Sequence, residues 1–146
     1  MTDARRLLIL LLSAALLVAC NAADLSREAH PATLANTSWR AISIGGHPTI
    51  PGSEPTALFK VADISGSGGC NDWFADYDYD PGNGRIALRQ IGMTARGCLN
   101  NAVSSEEAAF ATALTSVNRA SIDPAGRLVL SGPGGEIVFE VAAVSG

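Results

Sequence analysis

Residues 73 to 91 constrain this chain more than any other stretch. From Trp73 to Asp80 the side chains alternate strongly, ending Tyr77-Asp78-Tyr79-Asp80. Period two puts the tyrosines on one face of a strand and the aspartates on the other. Pro81-Gly82-Asn83-Gly84 is a turn signal. Arg85 to Ile91 then alternates again, with Ile86, Leu88 and Gln90 on one face. The two runs predict a hairpin. Other short β-prone runs surround it: Trp39 to Ile44, Ala57 to Ile64, Arg127 to Leu130 and Glu136 to Val141. Ser65-Gly66-Ser67-Gly68-Gly69 is too glycine-rich for a regular strand interior and predicts a bulge or a close backbone approach. One segment changes period. Ser104 and Glu107 have capping-box spacing, and Phe110, Leu114 and Val117 recur at helical spacing, so a helix is expected over 105–116. Many short strands with regular turns and one helix make the chain mainly β, a small antiparallel barrel or strongly curved sheet.

The first 20 residues read differently. Arg5 and Arg6 precede an apolar run, Leu7 to Ala19, broken only by Ser13. This is the pattern of a secretory signal, and it is too short to span a bilayer, which takes about 20 apolar residues. Its end, Leu17-Val18-Ala19-Cys20, resembles the lipobox of bacterial lipoproteins. The resemblance implies a signal peptide over 1–19, diacylglycerol on the Cys20 sulfur and acylation of the new amine, with palmitate-type chains anchoring the protein to a membrane. Asn21 in place of Asp favours the outer membrane. Residues 20–36 then form a flexible tether carrying a solvated His30, and 37–143 form the folded domain.

The whole chain of 146 residues carries a formal net charge of −4 with a pI near 5.0, and Lys60 is its one lysine. That balance lacks the basic footprint of a nucleic-acid binder. Of three cysteines, a lipidated Cys20 leaves Cys70 and Cys98. An even pair in an oxidising compartment predicts a disulfide. Catalytic dithiols lie close in sequence, so this pair reads as a structural staple.

Gly69-Cys70-Asn71, inside the glycine-rich stretch, resembles the signature of the META domain (HslJ-like) family. Trp39 fits an early tryptophan after a leucine and small residues (here Leu34, Asn36 and Thr37), Phe74 and Tyr77 the aromatics after the signature, and Thr94 and Cys98 a Thr-x-x-x-Cys element; the resemblance runs from about Leu34 to Val141. Glu106 or Glu107, with Phe110 and Leu114, fits the following helix, and the run 128–139 the closing hairpin. The basic residue of the Thr-to-Cys element is displaced to Arg96, and Asp76 stands where the family usually has glycine. The resemblance implies a small antiparallel barrel with a packed helix, no enzymatic activity, and a loose link to heat or antibiotic stress.

The remaining candidates read plainly. A calcium loop starting at Asp76 would place Pro81 and Ala87 where glycine and glutamate are needed, so no metal is expected. A Cys–His nucleophile would need His47, beside Pro48 in a loop, and nothing supports it. Asn71 is expected to hydrogen-bond the irregular glycine-rich backbone; Trp39, Trp73, Phe74 and Tyr77 are expected in the core. The expectation is a monomeric, non-catalytic, lipid-anchored, periplasm-facing protein of the envelope, with no cofactor. It would bind an unidentified envelope partner there. Two alternatives are a carrier of a lipid or small hydrophobic ligand, and an inhibitor of an envelope protease or lysozyme acting through 45–55 or 81–84.

Overall fold

The computed structural model describes residues 30–143. Cys20, the signal segment and most of the expected tether lie outside the described residues. Nine strands and a helix follow in chain order: β1 (Thr37–Ile44), β2 (His47–Pro48), β3 (Thr56–Phe59), β4 (Asp63–Ser67), β5 (Asp72–Asp80), β6 (Arg85–Met93), α1 (Asn101–Leu114), β7 (Arg119–Ile122), β8 (Leu128–Gly132) and β9 (Gly135–Val141). The sheet order is β2-β1-β3-β4-β5-β6-β7-β8-β9, every pairing is antiparallel, and β1 also pairs with β9. That last pairing closes eight strands into a barrel, with β2 a two-residue addition to β1. The expected mainly β barrel with one helix is what forms.

The hairpin β5–β6 follows the alternation in sequence. Trp73, Ala75 and Tyr77 point inward and are buried. The register runs Tyr77↔Leu88, Tyr79↔Ile86 and Asp80↔Arg85. It shifts between Phe74 and Asp76, opposite Gln90, which takes a positive φ of 52°. This bulge turns Gln90 outward to donate to Asp76 Oδ2, so Gln90 does not share a buried face with Ile86. The seam between β6 and β7 is thin, a single bridged pair, Arg85↔Arg119. A surface cleft of about 570 Å³ lies along it, lined by Ile86, Leu88, Val117 and Asn118 among others.

Four local expectations change. The run 57–64 is two strands, because Lys60-Val61-Ala62 turns the chain and Lys60 N–H donates to the Asp63 carbonyl at 2.8 Å. The glycine-rich run begins as strand, and Gly66 is the close approach: any Cβ there would overlap the Thr56 carbonyl. Phe74 is not core. It is 57 % exposed on the outer face, its ring lying over Gly92 directly across the ladder. Residues 30–36 are not a free tether. Leu34 is 1 % exposed, and the Tyr79 hydroxyl donates to the Pro31 carbonyl at 2.6 Å. His30 is half-buried against Gly84 rather than solvated.

Side chains fill the interior from both ends. The helix covers the end holding 45–55, 68–71 and 133–134, where Phe110 meets Trp73 edge-on at 5.6 Å. The 30–36 strap closes the other, where Leu34 enters beside the turns 60–62 and 81–84. Between them Phe59, Leu128, Leu130, Ile137 and Phe139 are fully buried, and Phe59 packs edge-on to Tyr77 at 5.2 Å. Each such side chain stabilises the fold by roughly 1.5–3 kcal/mol.

Candidate functional site

Of the residues singled out in sequence, Gly69, Cys70, Asn71, Thr94 and Cys98 meet at the helix-covered end. A tight turn, closed by Gly68 N–H donating to the Asn71 carbonyl at 2.6 Å, brings Cys70 and Asn71 under the first turns of α1. Gly69 has a φ of +111°, and a Cβ there would sit 2.8 Å from the Ser53 carbonyl oxygen. A Cβ on Gly68 would sit 2.7 Å from Glu107 Oε1. The glycines therefore let a bare backbone approach a helix carboxylate. Cys70 and Cys98 form the expected disulfide, with a Cα separation of 5.8 Å. It ties this turn to the segment that leads into the helix.

Glu107 is the hub, although the sequence marked it only as a capping residue and as one of two glutamates that fit the family's helix. Its side chain is buried, and it accepts from Asn71 N–H at 2.5 Å and Cys70 N–H at 3.2 Å on Oε1, and from Asn71 Nδ2 at 2.7 Å on Oε2. The helix is capped elsewhere. Asn100 Oδ1 accepts from Ala102 N–H and Val103 N–H, so α1 starts four residues before the expected 105, and the Ser104–Glu107 capping box does not form. Glu106, its neighbour, accepts from Ile50 N–H at 2.6 Å and holds the 45–55 loop to the helix.

The Asn71 side chain is hydrogen-bonded, but to Thr94, Arg96 and Glu107 rather than to the glycine-rich backbone. Its Oδ1 accepts from Arg96 N–H at 2.6 Å and the Thr94 hydroxyl at 3.1 Å, and its Nδ2 also reaches the Arg96 carbonyl at 3.4 Å. Both donors and both lone pairs of the amide are used. Thr94 completes the clip by accepting from Asp72 N–H at 3.0 Å. The displaced basic residue, Arg96, pairs with Asp72 on the surface. Trp39 and Tyr77 are core residues away from this cluster; the Trp39 indole donates to Thr37 Oγ1 and the Tyr77 hydroxyl to the Lys60 carbonyl.

The acidic face of β5 is internally satisfied. Asp78 pairs with Arg89, whose hydrogen bond holds the carboxyl below its ordinary pKa. Asp80 accepts from Gly82 N–H and Asn83 Nδ2. Burial holds the Tyr77 and Tyr79 phenols above their ordinary values. His47 lies exposed on β2, with neither cysteine near it in sequence or sheet. No helix among the described residues is long and apolar enough to cross a membrane.

Two solved structures share the architecture. One is an NMR structure of a protein from Burkholderia xenovorans, 22% identical, with a TM-score of 0.60 over 75% of this chain and 84% of that one. The other, also by NMR, is 22% identical, with a TM-score of 0.60 over 77% of this chain and 95% of that one. At that identity they show the fold alone. No curated protein matches the chain. The META domain family model matches residues 32–144, which takes in most of the strap, the barrel, the helix and the Cys70–Asn71–Glu107 cluster. The chain belongs to the META domain family.

Proposed function

We propose that this META-domain protein is a non-catalytic binding protein of the bacterial envelope, anchored through lipid on Cys20, facing the periplasm from the outer membrane and supporting tolerance of heat or antibiotic stress. The observation that carries the binding reading is the filled interior. A carrier would have to displace Phe59, Trp73 or Phe139 from the barrel centre, whereas the outer surface is free to meet a partner. The cluster around Glu107 fits a structural role, because all but one Glu107 Oε2 acceptor site, which faces Cys98, is spent within it. Geometry supports an anchor at the N-terminus. The strap and the end of β9 lie at one end of the barrel and the helix and disulfide at the other. Cys20 precedes His30 by ten residues, a reach of roughly 35 Å when extended. The disulfide end would then face away from the membrane.

Expression of the full chain in a diderm bacterium tests the anchor. The N-terminal peptide should begin at acylated Cys20, and Cys20→Ser should move the protein from the outer-membrane fraction to the soluble one. An unacylated N-terminus, or identical fractionation of the two, would refute anchoring. A deletion strain with unchanged survival under heat and antibiotic challenge would refute the stress role.

A further inference from the structure

The disulfide end of the barrel places three metal-binding side chains together. Cys70 Sγ, Cys98 Sγ and a Glu107 carboxylate oxygen all lie within 4.8 Å of one another. Glu107 Oε2 is 3.7 Å from Cys98 Sγ. We propose that, once the Cys70–Cys98 bond is reduced, these three side chains form a Zn²⁺ site with two thiolates, one carboxylate and solvent as the fourth ligand.

The donor set suits the ion. Zinc takes thiolate and carboxylate ligands in tetrahedral geometry, and two sulfurs on one zinc stand roughly 3.8 Å apart. That spacing is within reach of two side chains whose Cα atoms are 5.8 Å apart. The carboxylate is already oriented. Cys70 N–H, Asn71 N–H and the Asn71 amide hold it, and Thr94 and Arg96 hold Asn71 in turn. Such outer contacts fix a ligand's direction before the ion arrives. Both cysteines are half-buried, so solvent reaches them. Soft thiolates select against Mg²⁺ and Ca²⁺.

Oxidation state gates the site. A dithiol reductant supplies two electrons and two protons, leaving two thiols here and a cyclic disulfide on the reductant. Zinc then displaces both thiol protons. The sulfurs cannot be bonded to each other and serve as thiolates at once, so the oxidised protein binds no ion. This reading is independent of the lipid anchor.

The test uses the full chain carrying Cys20→Ser, so that two thiols remain. A phosphine reduces it, becoming the phosphine oxide with oxygen from water, and is removed without air. Cobalt is then titrated as a spectroscopic probe and displaced with zinc. The expected result is one equivalent of Co²⁺ with thiolate charge-transfer bands and a tetrahedral ligand-field spectrum, released by Zn²⁺, and no uptake by the oxidised chain. X-ray absorption of the zinc form should give two sulfur and two lighter neighbours. Uptake no greater than in the oxidised chain, or a shell without two sulfurs, would overturn the site. Glu107→Gln, or Glu107→Asp if that variant does not fold, should weaken zinc binding about 10-fold or more. Unchanged affinity would remove Glu107 from the ligand set.

Discussion

Replacing Glu107 with leucine keeps the bulk of the side chain and deletes its acceptors. Cys70 N–H and Asn71 N–H lose their carboxylate partner, and Asn71 Nδ2 keeps only the longer contact to the Arg96 carbonyl. A buried donor left unpaired costs about 1–3 kcal/mol. Two such donors, with a third weakened and some gain from burying leucine, give an expected loss of about 3–5 kcal/mol. Small domains have only about 5–15 kcal/mol in total. Glu106→Leu is the internal reference. It removes one bond, from Ile50 N–H, and should cost about 1–2 kcal/mol. Urea unfolding with the disulfide intact, followed by the fluorescence of buried Trp39 and Trp73, measures both. A loss below about 1 kcal/mol for Glu107→Leu, or equal losses for the two variants, would refute the account of the hub.

Three further outcomes are expected. Cys70→Ser with Cys98→Ser opens a link across 28 residues and should cost roughly 3–4 kcal/mol in the chain-entropy model; melting that is the same with and without the disulfide would contradict it. Leu34→Ala should cost about 2–5 kcal/mol and expose the strap to proteolysis ahead of the barrel, whereas simultaneous cleavage would show that the strap does not open on its own. Alkali should unfold the protein through its only two tyrosines, Tyr77 and Tyr79. Burial raises both folded values, so the unfolded chain ionises first. Stability is therefore intact below about pH 10 and falls as pH rises through the higher folded values. Phenolate absorbance appearing near pH 10 in a still-folded chain would refute this.

What could be read in the sequence was local. The β5–β6 hairpin was legible because Trp73, Tyr77, Ile86 and Leu88 recur at period two and a glycine-rich turn separates them. The disulfide followed from cysteine arithmetic. Errors arose where a distant partner decides. Glu107 sits at a capping spacing from Ser104, but its partners lie 36 and 37 residues upstream, and Asn100 offered an earlier cap. Phe74 looked like core because aromatics usually are, and only the ladder reveals Gly92 beneath it. The turn at 60–62 contains no glycine or proline to announce it. Leu34 opens the family resemblance yet reads as tether, because its burial depends on an opening between two turns far along the chain.

The pairing of β1 with β9 makes the order of synthesis matter. Arg40 and Glu140 form an ion pair across 100 residues, and Trp39 lies opposite Val141 in the ladder. Contacts this distant in sequence slow folding, because loop closure must precede any gain from the contact. The barrel cannot shut until the last strand has been made. A nascent chain released short of Val141 would leave β1 with one unpaired edge and an open core, the state most exposed to aggregation and proteolysis. Loss of β9 should therefore be more damaging than loss of any single interior side chain.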